Sequence, residues 1–144
     1  MTQAGLIFAS PAWCERIEAV FADLVAEHRD ALAGERFSIR ETFRAVPPDG
    51  GTHGWSARIA DGEASFGIDG PVDFEVTGDQ AAALPGARLI YAEATEADLA
   101  AQATHRQAMV AAGRLETHGD VAALSRPLRR LLRDLHDRMA RATC

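Results

Sequence analysis

With 144 residues, 47% hydrophobic and 25% charged, the chain has the length and composition of one ordinary globular domain, residues 1–144, able to bury a core without metal or disulfide. Disordered, collagenous and coiled-coil chains are excluded. Fifteen basic residues, all of them arginine, stand against 21 acidic ones for a net charge of −6, which argues against nucleic acid as a partner because phosphate backbones call for a basic footprint.

Ser10-Pro11 opens the first element, with serine as an N-cap and proline at the first helical position, where its missing N–H goes unpaired anyway. Trp13, Ile17, Val20, Phe21, Leu24 and Val25 then form one apolar stripe, and Gly34 is a plausible stop. From Phe37 the period changes to two. Phe37, Ile39, Phe43 and Ala45 alternate with Ser38, Arg40, Thr42 and Arg44 as far as the Pro47-Pro48-Asp49-Gly50-Gly51 break. Strands Trp55 to Ala60 and Glu63 to Ile68 flank Asp61-Gly62, a pair suited to the positive backbone angles of a tight hairpin. Gly70-Pro71 makes a corner, and Val72 to Thr77 is a fourth strand.

Gln80 to Leu84 forms a short helix before Pro85-Gly86, and Ala87 to Ala92 is ambiguous. Thr95 with Asp98 resembles a capping box opening a helix through Leu99, Ala103, Met109 and Val110 to Gly113. Arg114 to Thr117 is a fifth strand. Asp120 caps a final helix from Val121 to about Met139, which Pro127 should kink or restart and which carries the stripe Leu128, Leu131, Leu132, Leu135 and Met139. The expected fold is α+β, an antiparallel five-stranded sheet covered on one face by helices.

Two cysteines near opposite ends, Cys14 and Cys144, form no C-x-x-C pair and follow no secretory leader, and no run of 18 apolar residues occurs. Reduced thiols in a cytoplasmic protein are the expectation. His28, His53, His105, His118 and His136 are nowhere spaced as a helical ligand pair, so surface histidines are favoured over a metal site. No phosphate-binding loop or nucleophile motif is present, and no cofactor is implied. Cys14 falls in the first turn of a helix, where the dipole would lower a thiol pKa, but no base can be placed beside it. Glu41 breaks the pattern of its strand by sharing a face with Phe37, Ile39 and Phe43. It marks the sheet's edge or a bulge, the favoured reading, or it sits inside as a proton acceptor or ligand contact. Arg126, Arg129, Arg130, Arg133, Arg138 and Arg141 face only Asp134 and Asp137 on the last helix. Either they pair, Arg130 with Asp134 and Arg133 with Asp137, or they meet an anionic surface.

The stretch Ala108 to Asp120, with Gly113-Arg114-Leu115-Glu116-Thr117-His118-Gly119-Asp120 between two helices, resembles the end of the sterol carrier protein 2 family of lipid-binding domains. Ser10-Pro11-Ala12-Trp13, the strand at Trp55, and Pro71 to Asp79 leading to Leu84-Pro85-Gly86 are similar to that family in the same order along the chain. The resemblance implies a sheet covered by helices with an apolar space between them for a fatty acyl chain or sterol, and it brings no catalytic motif. The face pattern nominates Phe43, Trp55, Phe66, Phe74, Met109, Leu131 and Leu135 as ligand contacts, around either a cavity or a filled core. Non-catalytic lipid binding leads. The alternatives are a small enzyme acting on an apolar substrate, which an inward Glu41 beside a histidine would favour, and an interaction module. Arg129, Arg130 and Arg133 are expected at the cavity mouth, in weak contact with anionic membrane. The sequence does not set the oligomeric state.

Overall fold

A computed structural model of the chain describes residues 5–144. Helix α1 (Pro11–Glu27) begins as expected, with the Ser10 hydroxyl accepting from Trp13 N. It ends before Gly34, whose φ of 81° closes the turns that follow. Strands β1 (Phe37–Val46), β2 (Gly51–Ala60) and β3 (Glu63–Phe66) form a meander, and Asp61 and Gly62 adopt the positive φ of the tight hairpin. A bulge near the end of β1, with Ala45 at φ 55°, exposes Ala45 and puts Val46 on the buried face in its place.

Strand β4 (Phe74–Asp79) joins β1 on the other side, and β5 (Leu115–His118) follows, giving the order β3-β2-β1-β4-β5. One expectation is corrected here: β1 and β4 pair in parallel, while the other neighbours are antiparallel. The registers give the reason. Phe66, at the end of β3, lies level with Ala57 and Ile39, and Phe74, at the start of β4, also lies level with Ile39. The chain therefore crosses sideways over β2 and β1, roughly 14 Å at ordinary strand spacing, and continues in its original direction. This crossover, residues 67–73, straps the helix-free face. Ile68 N donates to Ser56 Oγ, the Arg40 guanidinium donates to Gly70 O, and Ser38 N and Asp73 N exchange side-chain hydrogen bonds.

On the opposite face α1 covers β2 and β3, while α2 (Gln80–Arg88) covers β1 and β4. Helix α2 runs through Pro85 instead of stopping before it. The proline forfeits a single hydrogen bond, to the carbonyl of exposed Ala81, which water can satisfy. Helix α3 (Glu96–Ala111) has the reciprocal Thr95–Asp98 capping box and packs on α2 and β5. The final segment divides: a short 3₁₀ turn at Val121–Ala123, capped by Asp120, precedes α4 (Arg126–Ala142), capped by Ser125. Pro127 therefore lies in the first turn of α4, where it breaks nothing, and is not an interior kink. Helix α4 packs on α1 and α2, and its buried Leu128, Leu131, Leu135 and Met139 join Phe21, Phe37, Phe43 and Trp55 in one core cluster. No helix among the described residues is long and apolar enough to cross a membrane.

Candidate functional site

Glu41 sits in the central strand, opposite Trp55 on β2 and Val76 on β4, on the helix-covered face with Ile39 and Phe43. This overturns the edge reading, since strands flank β1 on both sides along Glu41. Protein surrounds the carboxyl closely while the side chain keeps some solvent contact. Burial raises its pKa from the ordinary carboxylate value, and the hydrogen bond from Trp55 Nε1, at 2.8 Å, opposes the rise. An otherwise apolar floor thus holds one group able to exchange hydrogen bonds with a polar head.

Cys14 lies close enough to Glu41 and Glu18 to feel both charges. Burial first, then these two carboxylates, push its thiol pKa up to about 11, opposite to the direction expected from the helix dipole. The thiol is buried and donates to Ala9 O at 3.6 Å, so it is a core group and not a nucleophile. Among the described residues no histidine is hydrogen-bonded to Glu41. His53 faces Asp49, His118 faces Glu116, and His105 and His136 donate to the carbonyls of Ala82 and Leu89. His28 caps the end of α1. The five are spread over separate turns and helices, and they do not converge.

Six of the seven nominated ligand contacts meet around one cluster. Phe43, Trp55, Leu131 and Leu135 are buried within it at 2%, 4%, 1% and 4% exposure, and Phe66 and Phe74 are half-buried against it. Aromatic edges close the region under α1, with Phe21 6.1 Å from both Trp55 and Phe66 and Phe8 4.8 Å from Phe43. Met109 is apart, half-buried on α3, a helix with no buried residue at all. The strip between these regions is apolar and incompletely covered: Phe74 and Val76 on β4, and Leu84 and Ala87 on α2, are all half-buried. Val76 and Leu84 were not nominated. Val76 could have been found from its alternation with Glu75 and Thr77, whereas Leu84 stands in a helix too short to show a stripe.

The arginine helix also differs from expectation. Arg130 and Arg133 do not pair with Asp134 and Asp137. Asp137 is buried and accepts from Tyr91 N at 2.8 Å and Ala92 N at 3.1 Å, pinning the turn before α3. Arg126, Arg129, Arg130 and Arg133 line a cleft of about 910 Å³ with His28 and Ala31. Among the described residues, none from β4, β5 or α3 lines it. A smaller cleft of about 270 Å³ runs along the free edge of β2, between Thr52 and Ser56.

A mostly antiparallel five-stranded sheet, covered on one face by helices and closed by a carboxy-terminal helix, is a sterol carrier protein 2-like fold. The chain is similar to a conserved hypothetical protein of Thermus thermophilus, described as possibly a sterol carrier protein. Its solution structure matches at 17% identity and a TM-score of 0.51 over 98% of this chain and 93% of that one. A crystal structure of sterol carrier protein 2 matches at 19% identity and a TM-score of 0.46, over 95% of this chain and 99% of that one. The solution structure of sterol carrier protein domain 2 of Helicoverpa armigera matches at 15% identity and a TM-score of 0.46, over 96% of this chain and 95% of that one. No protein-family model and no curated protein matches the chain.

Proposed function

We propose that this protein is cytoplasmic and that it binds and carries a lipid-like apolar molecule, a fatty acyl chain or a sterol, without catalysis, between the sheet and the helices on the α3 side. The observation that carries this reading is the incomplete cover over β4. Phe74 and Val76 on β4, Leu84 on α2 and Met109 on α3 are apolar yet half-buried, and the sixteen-residue α3 buries none of its own side chains. Apolar surface left partly wet gains roughly 25 cal/mol per Å² when a ligand covers it. Phe74 and Met109 form the contact strip. Phe43, Trp55, Phe66, Leu131 and Leu135 form the packed wall behind it, and Glu41 offers the polar anchor at the boundary. A fluorescent fatty acid should bind at micromolar concentration and be displaced by palmitate. Absence of binding would contradict the reading, and Phe74→Glu should abolish it while leaving the fold intact.

Arg129, Arg130 and Arg133, exposed on α4, supply a weak, reversible contact with anionic membrane, about 1 kcal/mol for each arginine near the surface. Sedimentation with anionic vesicles should exceed that with neutral vesicles and fade as salt is raised.

A further inference from the structure

The six arginines of α4 fall into two groups. Arg138 and Arg141, in its last turns, hold Glu27 at 3.0 Å and Glu93 at 3.8 Å. Arg126, Arg129, Arg130 and Arg133 occupy one helical face at i, i+3, i+4 and i+7, and none of them forms an ion pair among the described residues. The aspartates placed to neutralise them do not do so: Asp134 makes no ion pair among the described residues, and Asp137 is committed to the backbone of Tyr91 and Ala92. Arg133 lies over the Tyr91 ring, 4.5 Å from its centroid, a contact that orients the guanidinium and leaves its charge unneutralised. In a protein of net charge −6, four uncompensated guanidinium groups line one cleft of about 910 Å³, across from His28, with Asp134 as the lone acid in its wall among the described residues.

We propose that this cleft is a discrete binding site for a phosphate monoester group. A guanidinium presents a planar fork that matches two oxygens of an oxyanion. A carboxylate has only two oxygens to offer, whereas a phosphate monoester has three terminal oxygens and a charge of about −1.5 to −2, enough to engage several forks together. The positive end of the seventeen-residue α4 dipole adds to the field at the same place. The group could arrive on a soluble molecule or on a lipid headgroup, since the recognising chemistry is shared. The site deepens the membrane contact proposed above and differs from it in being saturable and selective for phosphate geometry over charge.

The test uses the full chain, the cleft variant Arg129→Gln/Arg130→Gln, and the control Arg138→Gln/Arg141→Gln, which removes equal charge from the same helix outside the cleft. Each is titrated with inorganic phosphate at constant ionic strength. Each is also sedimented with phosphatidylcholine vesicles containing phosphatidic acid, or containing phosphatidylserine at matched surface charge. Binding of free phosphate, or a preference for phosphatidic acid over phosphatidylserine, should fall at least about tenfold in the cleft variant and stay nearly unchanged in the control. Phosphate binding alone would identify a soluble ligand and remove the membrane contact. A vesicle preference alone would identify a headgroup. The site is overturned if neither probe binds, if the control loses as much as the cleft variant, or if the two anionic lipids bind equally and free phosphate does not. That last result would leave the membrane contact standing.

Discussion

Around α1 the helix-covered core is closely packed: Phe21, Phe43, Trp55 and Ile59 are buried, Phe21 meets the half-buried Phe66 edge to face, and α4 closes the layer with Leu131 and Leu135. Toward the β5 edge the same sheet carries Phe74 and Val76 only half-buried, and α3, which packs on α2 and β5, is tied to α2 by His105 Nε2 donating to Ala82 O at 2.8 Å. Leu99 and Val110 of α3 remain 42% and 45% exposed. The difference teaches that one sheet can serve two purposes. The α1 half is closely packed, and on the proposed reading the α3 half leaves apolar surface for a ligand to cover.

The comparison is broken most directly by side-chain deletion. Phe43→Ala should lower stability by about 3–5 kcal/mol in urea denaturation, whereas Phe74→Ala should cost only about 1–2 kcal/mol because its surroundings are already partly hydrated. Equal losses would mean that the two halves are packed alike. Asp137→Ala should cost about 2 kcal/mol, since two backbone N–H groups lose a charged acceptor, and should also loosen the start of α3 as read by amide exchange.

Glu41 sharpens the boundary between the halves. Its pKa is raised in the folded state, so below the unfolded value near 4.5 it is neutral in both states and carries no penalty. As pH rises above that value the folded state must ionise a buried carboxyl, and its contribution to stability falls. Glu41→Gln, which can still accept from Trp55 Nε1, should therefore raise the midpoint of thermal unfolding at pH 7, with the gain vanishing near pH 4. No gain at pH 7 would show that the carboxyl is solvated, and an equal gain at both pH values would show that its ionisation is not the source. The smallest effect concerns the thiols. At pH 8 Cys144, which is exposed, should react promptly with a disulfide reagent, while Cys14, with a pKa of about 11, holds only on the order of a thousandth of its thiol as thiolate. Two equal fast phases would contradict the closed packing under α1.

Local chemistry was legible wherever neighbours in sequence decide the outcome. The Asp61-Gly62 hairpin, the Ser10-Pro11 and Thr95–Asp98 helix starts and the Leu128 to Met139 stripe all appear where periodicity and capping place them. The parallel β1–β4 pair was not legible, because it depends on β3 stopping level with the start of β4, a relation between strands distant in sequence. For Glu41 alternation revealed the face, but strand order decided between edge and centre, and strand order leaves no local trace. Pro127 was legible in principle: Ser125-Arg126-Pro127 repeats the logic of Ser10-Pro11, and the apolar residues of the preceding 3₁₀ turn masked it. Nothing in the periodicity marks Asp137 as a backbone anchor, and its partners lie 45 and 46 residues away.

The central claim is that the α3 half holds the ligand, and amide hydrogen exchange with and without palmitate tests it most directly. The account predicts added protection in α3, β4 and β5 with little change in α1 and β2, whose amides are already sheltered. Uniform absence of added protection, or protection confined to α1 and α4, would contradict it.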